Sequence, residues 1–170
     1  DCCAAPGGKS MYMAALMDNT GSLMSCDIHE HKITLMESNA QRLGISIVQT
    51  KVQDATELPS AWKSYFDRVL VDVPCSGLGI LQKKLDMRWR KDESTLSELP
   101  PLQLSILERA AMTVKEKGYL VYSTCTLNYK ENEDVVEAFL QKHKEFSIVP
   151  VGTDFPLKSN NGMITTYPPT

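Results

Sequence analysis

The chain has 170 residues, 42% of them hydrophobic and 23% charged, which is enough for one globular domain with a core of its own. Its net charge of -3 excludes a whole-surface electrostatic grip on nucleic acid, so any such contact must be local. No apolar run approaches the length of about 20 residues needed to span a bilayer, and the N-terminus lacks the charged and apolar regions of a signal peptide, so a cytoplasmic protein is expected.

In chain order, short apolar runs alternate with helical periodicity, the pattern of a mostly parallel, doubly wound α/β sheet. Asp1 has the character of a strand-ending aspartate before a glycine loop, so most of a first, mid-sheet strand is expected upstream. Met24 to Asp27 closes a strand. Ile33, Met36, Ala40 and Leu43 then fall on one helical face, with Gly44 as the stop, and a strand follows over 45–52. Phe66 to Val71 predicts a further strand, ended by Asp72-Val73-Pro74.

Pro100 and Pro101 suit the opening of a helix whose core face carries Leu102, Ile106, Ala110 and Val114 and which Gly118 ends, before a strand over Tyr119 to Ser123. Asn128 followed by Glu131 has capping-box spacing, with Val135, Val136, Phe139 and Leu140 on the buried side of the next helix. A last strand is expected near Phe146 to Val149. Residues 1–150 form the expected catalytic core, and 151–170, rich in Pro, Asn, Thr and Gly, a loop or incomplete terminal segment. Met11, Met13 and Met17 are assigned to the core, and His29, His31 and His143 to the surface.

Ala5-Pro6-Gly7-Gly8-Lys9-Ser10 lies between the expected first strand and first helix. Glycines permit close backbone approach, and a helix N-terminus offers free N–H groups and a positive dipole end. Such a turn can hold phosphate or the carboxylate of an amino-acid-like cofactor, and it is also compatible with a plain tight turn. Gly8-Lys9-Ser10 completes the end of a P-loop, with Asp72 as the acid that would hold magnesium. Against an NTPase, Cys3 occupies the position of that motif's first glycine, and Pro6 removes an N–H donor. Asp27 follows the loop by about 20 residues, where dinucleotide-type folds set an acid against ribose hydroxyls. Asp54, after the next strand, could accept from an adenine amino group or be an exposed loop aspartate.

The five cysteines, Cys2, Cys3, Cys26, Cys75 and Cys125, show no CxxC pairing and no histidines at ligand spacing, so they read as reduced thiols with no metal site. Cys75 and Cys125 follow two successive strands and leave their carboxyl edge, where open α/β sheets bind ligands. Either alone would more often be a small buried hydrophobe. Two at matching strand ends point to chemistry.

Cys3-Ala4-Ala5-Pro6-Gly7-Gly8-Lys9, Asp72-Val73-Pro74-Cys75-Ser76-Gly77 and Ser123-Thr124-Cys125-Thr126, in this order across nearly the whole chain, resemble the Nop/Sun family of RNA cytosine C5 methyltransferases. Glu131-Asn132 and the tail Thr165 to Thr170 are similar to the bacterial branch acting on small-subunit (16S) ribosomal RNA. The resemblance implies a Rossmann-like methyltransferase core, truncated at both ends. S-adenosyl-L-methionine would be held by Cys3, Ala4, Ala5, Pro6, Gly7, Gly8, Lys9, Asp27, Asp54 and Asp72. It also implies that Cys125 attacks the base and that Cys75 assists product release. Asp72 has a second possible role, bonding the exocyclic amine of cytosine. The chain departs from the family's usual pattern at Val73, Leu85 and Lys117, where alanine, proline and the first of two glycines are common.

Lys83, Lys84, Arg88, Trp89 and Arg90 supply a local basic patch with an aromatic among the cations, suited to phosphate contact and stacking on RNA, or to a solvated face. The expected partner is RNA, with no membrane, and the expected state a monomer. A noncatalytic cofactor- or RNA-binding fragment and a P-loop NTPase are the competing readings.

Overall fold

The computed structural model describes residues 1–80, 93–150, 159–160 and 162–166. They fall into two compact units, each discontinuous in sequence: residues 1–74 with 105–123, and residues 75–104 with 124–170. The chain order is α1 (Gly8–Leu16), β1 (Leu23–Asp27), α2 (Glu30–Arg42), β2 (Val48–Val52), β3 (Phe66–Asp72), α3 (Glu93–Ala111), β4 (Val114–Ser123), α4 (Glu133–Lys142), β5 (Ser159–Asn160) and β6 (Met163–Ile164).

In the first unit, β1 pairs parallel with β2, Leu23 opposite Val48 through Asp27 opposite Val52. β3 pairs parallel with β4, ending with Asp72 opposite Ser123. The first four residues stitch these pairs together. Cys2 donates its amide to Leu70 O at 2.9 Å, while on the other side Ala4 donates to Cys26 O at 2.7 Å and Cys26 to Asp1 O at 2.8 Å. Asp1 to Ala4 thus run between β1 and β3 with backbone bonds to both, the mid-sheet place the sequence predicts for this segment. Beneath them, Ser25 Oγ donates to Ser10 Oγ at 2.9 Å and Ser10 Oγ to Asp1 Oδ2 at 2.8 Å, so two fully buried hydroxyls are satisfied.

The core follows the helical period. Ile33, Met36 and Ala40 of α2 pack with Met11 of α1 and with Ala4, flanked by Ala5, Ile45 and Val48. Ala14, Leu23 and Ile47 form a second cluster. Gly44 closes α2 at φ 67°, a left-handed stop that glycine adopts without cost. In β3 the buried side chains are Val69 and Val71, and Val73 continues their alternation.

Several expectations are corrected. Leu43 and Met17 are exposed, because each stands at the C-cap of its helix, beyond the packed face. α3 starts at Glu93, so Pro100 and Pro101 lie inside the helix, not at its opening. Its buried face is Gln103, Ile106, Leu107, Ala110 and Ala111, with Leu102 exposed. Val114 opens β4. Gly118 is part of a register shift in which Lys115 to Gly118 stand opposite Asp67 alone. The close approach explains the glycine: a β-carbon there would lie 2.9 Å from Asp67 O.

In the second unit, α4 buries Val135 and Phe139, and its acidic first turn and basic last turn suit the helix dipole. His143 is half-buried, not a free surface residue: its ring stacks on Phe139 with centroids 4.5 Å apart. Phe146 to Val149 form no strand; Phe146 instead packs its ring edge-on to Phe139 at 5.3 Å. Strand pairing occurs farther on, where β5 and β6 run antiparallel with Ser159 opposite Ile164. No helix among the described residues is long and apolar enough to cross a membrane.

Candidate active site

The glycine loop and the strand-end acids belong to the first unit. Gly7 caps α1 at φ 99° with no side-chain capping bond, leaving backbone N–H groups at the helix start. Asp27, at the tip of β1, is 7% exposed; Oδ2 accepts from the Ala5 amide at 3.3 Å and Oδ1 from the His29 amide at 3.0 Å, with Lys32 Nζ 3.6 Å away. The carboxylate is therefore locked to the loop. Asp54 accepts from the Thr56 amide and hydroxyl at 2.8 and 2.7 Å through Oδ1, while Oδ2 has no partner among the described residues. Burial, reinforced by Cys2, Asp27 and Asp72 nearby, pushes the Cys3 thiol up to about 12, so it is neutral at physiological pH.

Asp72, at the tip of β3, has a donor on each oxygen: Ser123 Oγ at 2.6 Å on Oδ1 and Lys9 Nζ at 2.6 Å on Oδ2. Lys9 and Asp72 are both partly exposed, so the pair contributes only about 0.2–1 kcal/mol. Its effect is orientation. Sequence reasoning missed Ser123, whose signal was available: parallel pairing of the two motif-bearing strands puts it opposite Asp72.

The two thiols belong to the second unit, and there they converge. Cys75 Sγ and Cys125 Sγ are 2.9 Å apart, beyond the roughly 2.05 Å of a disulfide bond, and both are free. The Cys125 amide donates to Cys75 Sγ at 3.1 Å. Cys125 is exposed and Cys75 half-buried. The hydrogen bond with Cys125, then burial, raises the Cys75 thiol above the ordinary thiol range.

Around them, the Ser76 hydroxyl lies 2.7 Å from that of Thr126, Thr124 Oγ1 donates to Asn132 Oδ1 at 2.6 Å, and Asn132 Nδ2 donates to Thr126 O at 3.0 Å. The capping-box expectation changes here. Asn128 accepts from the Lys130 amide at 3.2 Å and opens a short 3-10 turn, whereas Glu131 does not return to the cap backbone but is buried. Lys83, Lys84, Arg88, Trp89 and Arg90 lie outside the described residues, as does the tail 167–170. Among the described residues no cluster of His, Cys, Asp and Glu could hold a metal ion.

The sequence model of a family described as 16S rRNA methyltransferase RsmB/F matches residues 1–170. The chain belongs to this family. It is 46% identical over 147 residues to the probable ribosomal RNA small subunit methyltransferase B of Bacillus subtilis (strain 168), covering 86% of this chain and 33% of that protein. To the human 28S rRNA (cytosine(4447)-C(5))-methyltransferase it is 39% identical over 159 residues, 91% of this chain and 19% of the relative. Among solved structures, PH0851 aligns with a TM-score of 0.91 at 35% identity over 97% of this chain and 38% of its own. NSun6 from Pyrococcus horikoshii, solved with SFG, aligns with a TM-score of 0.83 at 30% identity over 96% and 41%. The chain spans well under half the length of these relatives. RsmB/F membership and these neighbours establish a Rossmann-like methyltransferase fold and decide against the NTPase reading of Gly8-Lys9-Ser10.

Proposed function

We propose that the chain carries the catalytic core, within residues 1–150, of an S-adenosyl-L-methionine-dependent methyltransferase that acts on C5 of a cytosine in RNA, with small-subunit ribosomal RNA as substrate. The observation that carries this reading is the thiol pair: an exposed Cys125 2.9 Å from a half-buried Cys75 whose proton is held. The names of the bacterial and human relatives support an RNA substrate, and SFG, a cofactor analogue found with NSun6, supports the cofactor.

The first unit fits that cofactor in its donor set. The uncapped start of α1 suits a carboxylate, Asp27 a pair of ribose hydroxyls, and the free oxygen of Asp54 an adenine amine. Cys3 to Lys9, Asp27, Asp54 and Asp72 would hold it; when bound it supplies an electrophilic methyl group.

Cytosine C5 is a poor nucleophile until something adds at C6. Cys125, as thiolate, forms the C6–S bond and shifts electron density to C5. Cys75 S–H, hydrogen-bonded to it, stabilises the thiolate before attack. Once the Cys125 sulfur is bonded to carbon, the interaction that most raises Cys75 is weakened; Cys75 then releases its own proton to solvent and, as thiolate, takes the C5 proton directly or through a water. The C5–H pair then reforms the C5=C6 bond and Cys125 leaves as thiolate. Asp72, oriented by Lys9 and Ser123, serves the cofactor or the cytosine amine.

The cytosine must be unstacked to react, at a cost of a few kcal/mol that is smallest in loops and single strands. Transfer of labelled methyl from S-adenosyl-L-methionine to unmethylated small-subunit ribosomal RNA, read at C5 by bisulfite sequencing, tests the proposal. No incorporation by the full-length protein bearing this chain overturns it.

A further inference from the structure

The loops that carry the two thiols end on one buried carboxylate. Glu131 has no solvent exposure. Its Oε2 accepts from the Ser76 amide at 2.7 Å and from Gln103 Nε2 at 3.0 Å; its Oε1 accepts from Asn128 Nδ2 at 3.0 Å and, more distantly, from Thr126 Oγ1 at 3.5 Å. Ser76 directly follows Cys75, and Thr126 directly follows Cys125. Their hydroxyls are hydrogen-bonded to each other, and Thr126 Oγ1 also accepts from the Asn128 amide at 3.2 Å.

We propose that Glu131 is a positioning residue that ties the backbone of the Cys75 loop to the Cys125 loop and thereby sets the separation of the two sulfurs. A carboxylate is suited to this because it accepts on both oxygens at once, and donors bond an ionised acceptor more strongly than a neutral one. Burial opposes its ionisation, but the bonds from Ser76, Asn128 and Gln103 outweigh that and hold the carboxyl below its usual range. A glutamine in its place has the same shape yet turns an N–H₂ toward at least one of these donors.

The catalytic consequence rests on the methyltransferase reading; the geometric claim does not, and the experiment separates them. Diamide takes two thiol hydrogens, is itself reduced to a hydrazine, and leaves a Cys75–Cys125 disulfide, whose rate of closure reports how well the sulfurs are held together because the bond tolerates only a narrow range of Cβ distances. The variants are Glu131→Gln and Thr126→Val, in the full-length protein, with closure followed by peptide mapping and folding by circular dichroism.

The expected result is closure at least tenfold slower in Glu131→Gln and about threefold slower in Thr126→Val. Methylation kcat falls in parallel while KM for RNA stays within twofold. Wild-type closure rates in the folded variants overturn the proposal; if Glu131→Gln does not fold, Thr126→Val decides alone by the same criterion. Slowed closure in the variants, when the wild-type protein itself methylates nothing, sustains the positioning role and overturns the functional reading.

Discussion

Gly79 donates its amide to the carbonyl of Cys125 at 3.1 Å, and a β-carbon at Gly79 would stand 2.9 Å from that same oxygen. The φ of Gly79 is not positive, so glycine is required there by proximity and not by backbone conformation.

Gly79→Ala therefore forces the Cys125 loop to move by a few tenths of an ångström. We expect methylation to fall by about tenfold or more, since small displacements of reacting groups are costly, with a stability loss of roughly 1–3 kcal/mol from overpacking. Initial rates and urea unfolding of the same preparation check both.

Cys125→Ala removes the attacking sulfur and is expected to abolish both methylation and any RNA adduct. Cys75→Ala keeps the attack but slows proton removal, so a protein–RNA adduct should accumulate and survive denaturing electrophoresis. The reverse pattern, with the adduct forming only in Cys125→Ala, would exchange the two roles.

Thiol reactivity follows burial. The Cys2, Cys3 and Cys26 thiols are all raised by burial, Cys3 to about 12 and Cys26 to about 11. A raised thiol pKa leaves the neutral form dominant across pH 7–9; near 12, only about one thiol in ten thousand is ionised at pH 8. Iodoacetamide at pH 8 should modify the exposed Cys125 first, with Cys2, Cys3 and Cys26 remaining unmodified, as peptide mass spectrometry will show. Early labelling of the half-buried Cys3 would contradict its raised thiol.

Lys117 adopts φ 62° in the register shift of β4. A left-handed non-glycine residue costs roughly 1–2 kcal/mol, partly offset in a glycine by its greater chain entropy when unfolded. Lys117→Gly should therefore stabilise the protein by about 0.5–1 kcal/mol, seen as a higher urea midpoint at unchanged slope. Gly118→Ala should do the opposite.

The Glu131 carboxyl, held below its usual range in the folded state, contributes stability that is present above the unfolded value of about 4.3 and is lost as pH falls through the lower folded value. The stability advantage of wild type over Glu131→Gln should therefore be constant near neutral pH and shrink below about pH 4. Urea unfolding from pH 6 to 3 measures it; a gap that widens on acidification would mean that the carboxyl is protonated at neutrality.

Features set by local periodicity were legible in the sequence. Ile33, Met36 and Ala40 form the buried face of α2 because every third or fourth residue of a helix faces one way, and Gly44 stops it because glycine tolerates a left-handed backbone. The same logic failed at element ends. Pro100 and Pro101 are strong helix-opening signals, yet α3 already runs from Glu93. Gly118 carries an equally strong stop signal but is a glycine because Asp67 crowds it.

By itself the sequence determined the family, through three ordered motifs, and the parallel strands that end at Asp27 and Asp72. The tertiary structure alone decided that the two sulfurs meet at 2.9 Å, that Ser123 and Lys9 share Asp72, and that Glu131 serves Ser76, 55 residues away, and not its own helix cap. The reason is physical: propensity and periodicity act over a few neighbouring residues, whereas a buried carboxylate bonds whichever donors the folded chain brings to it.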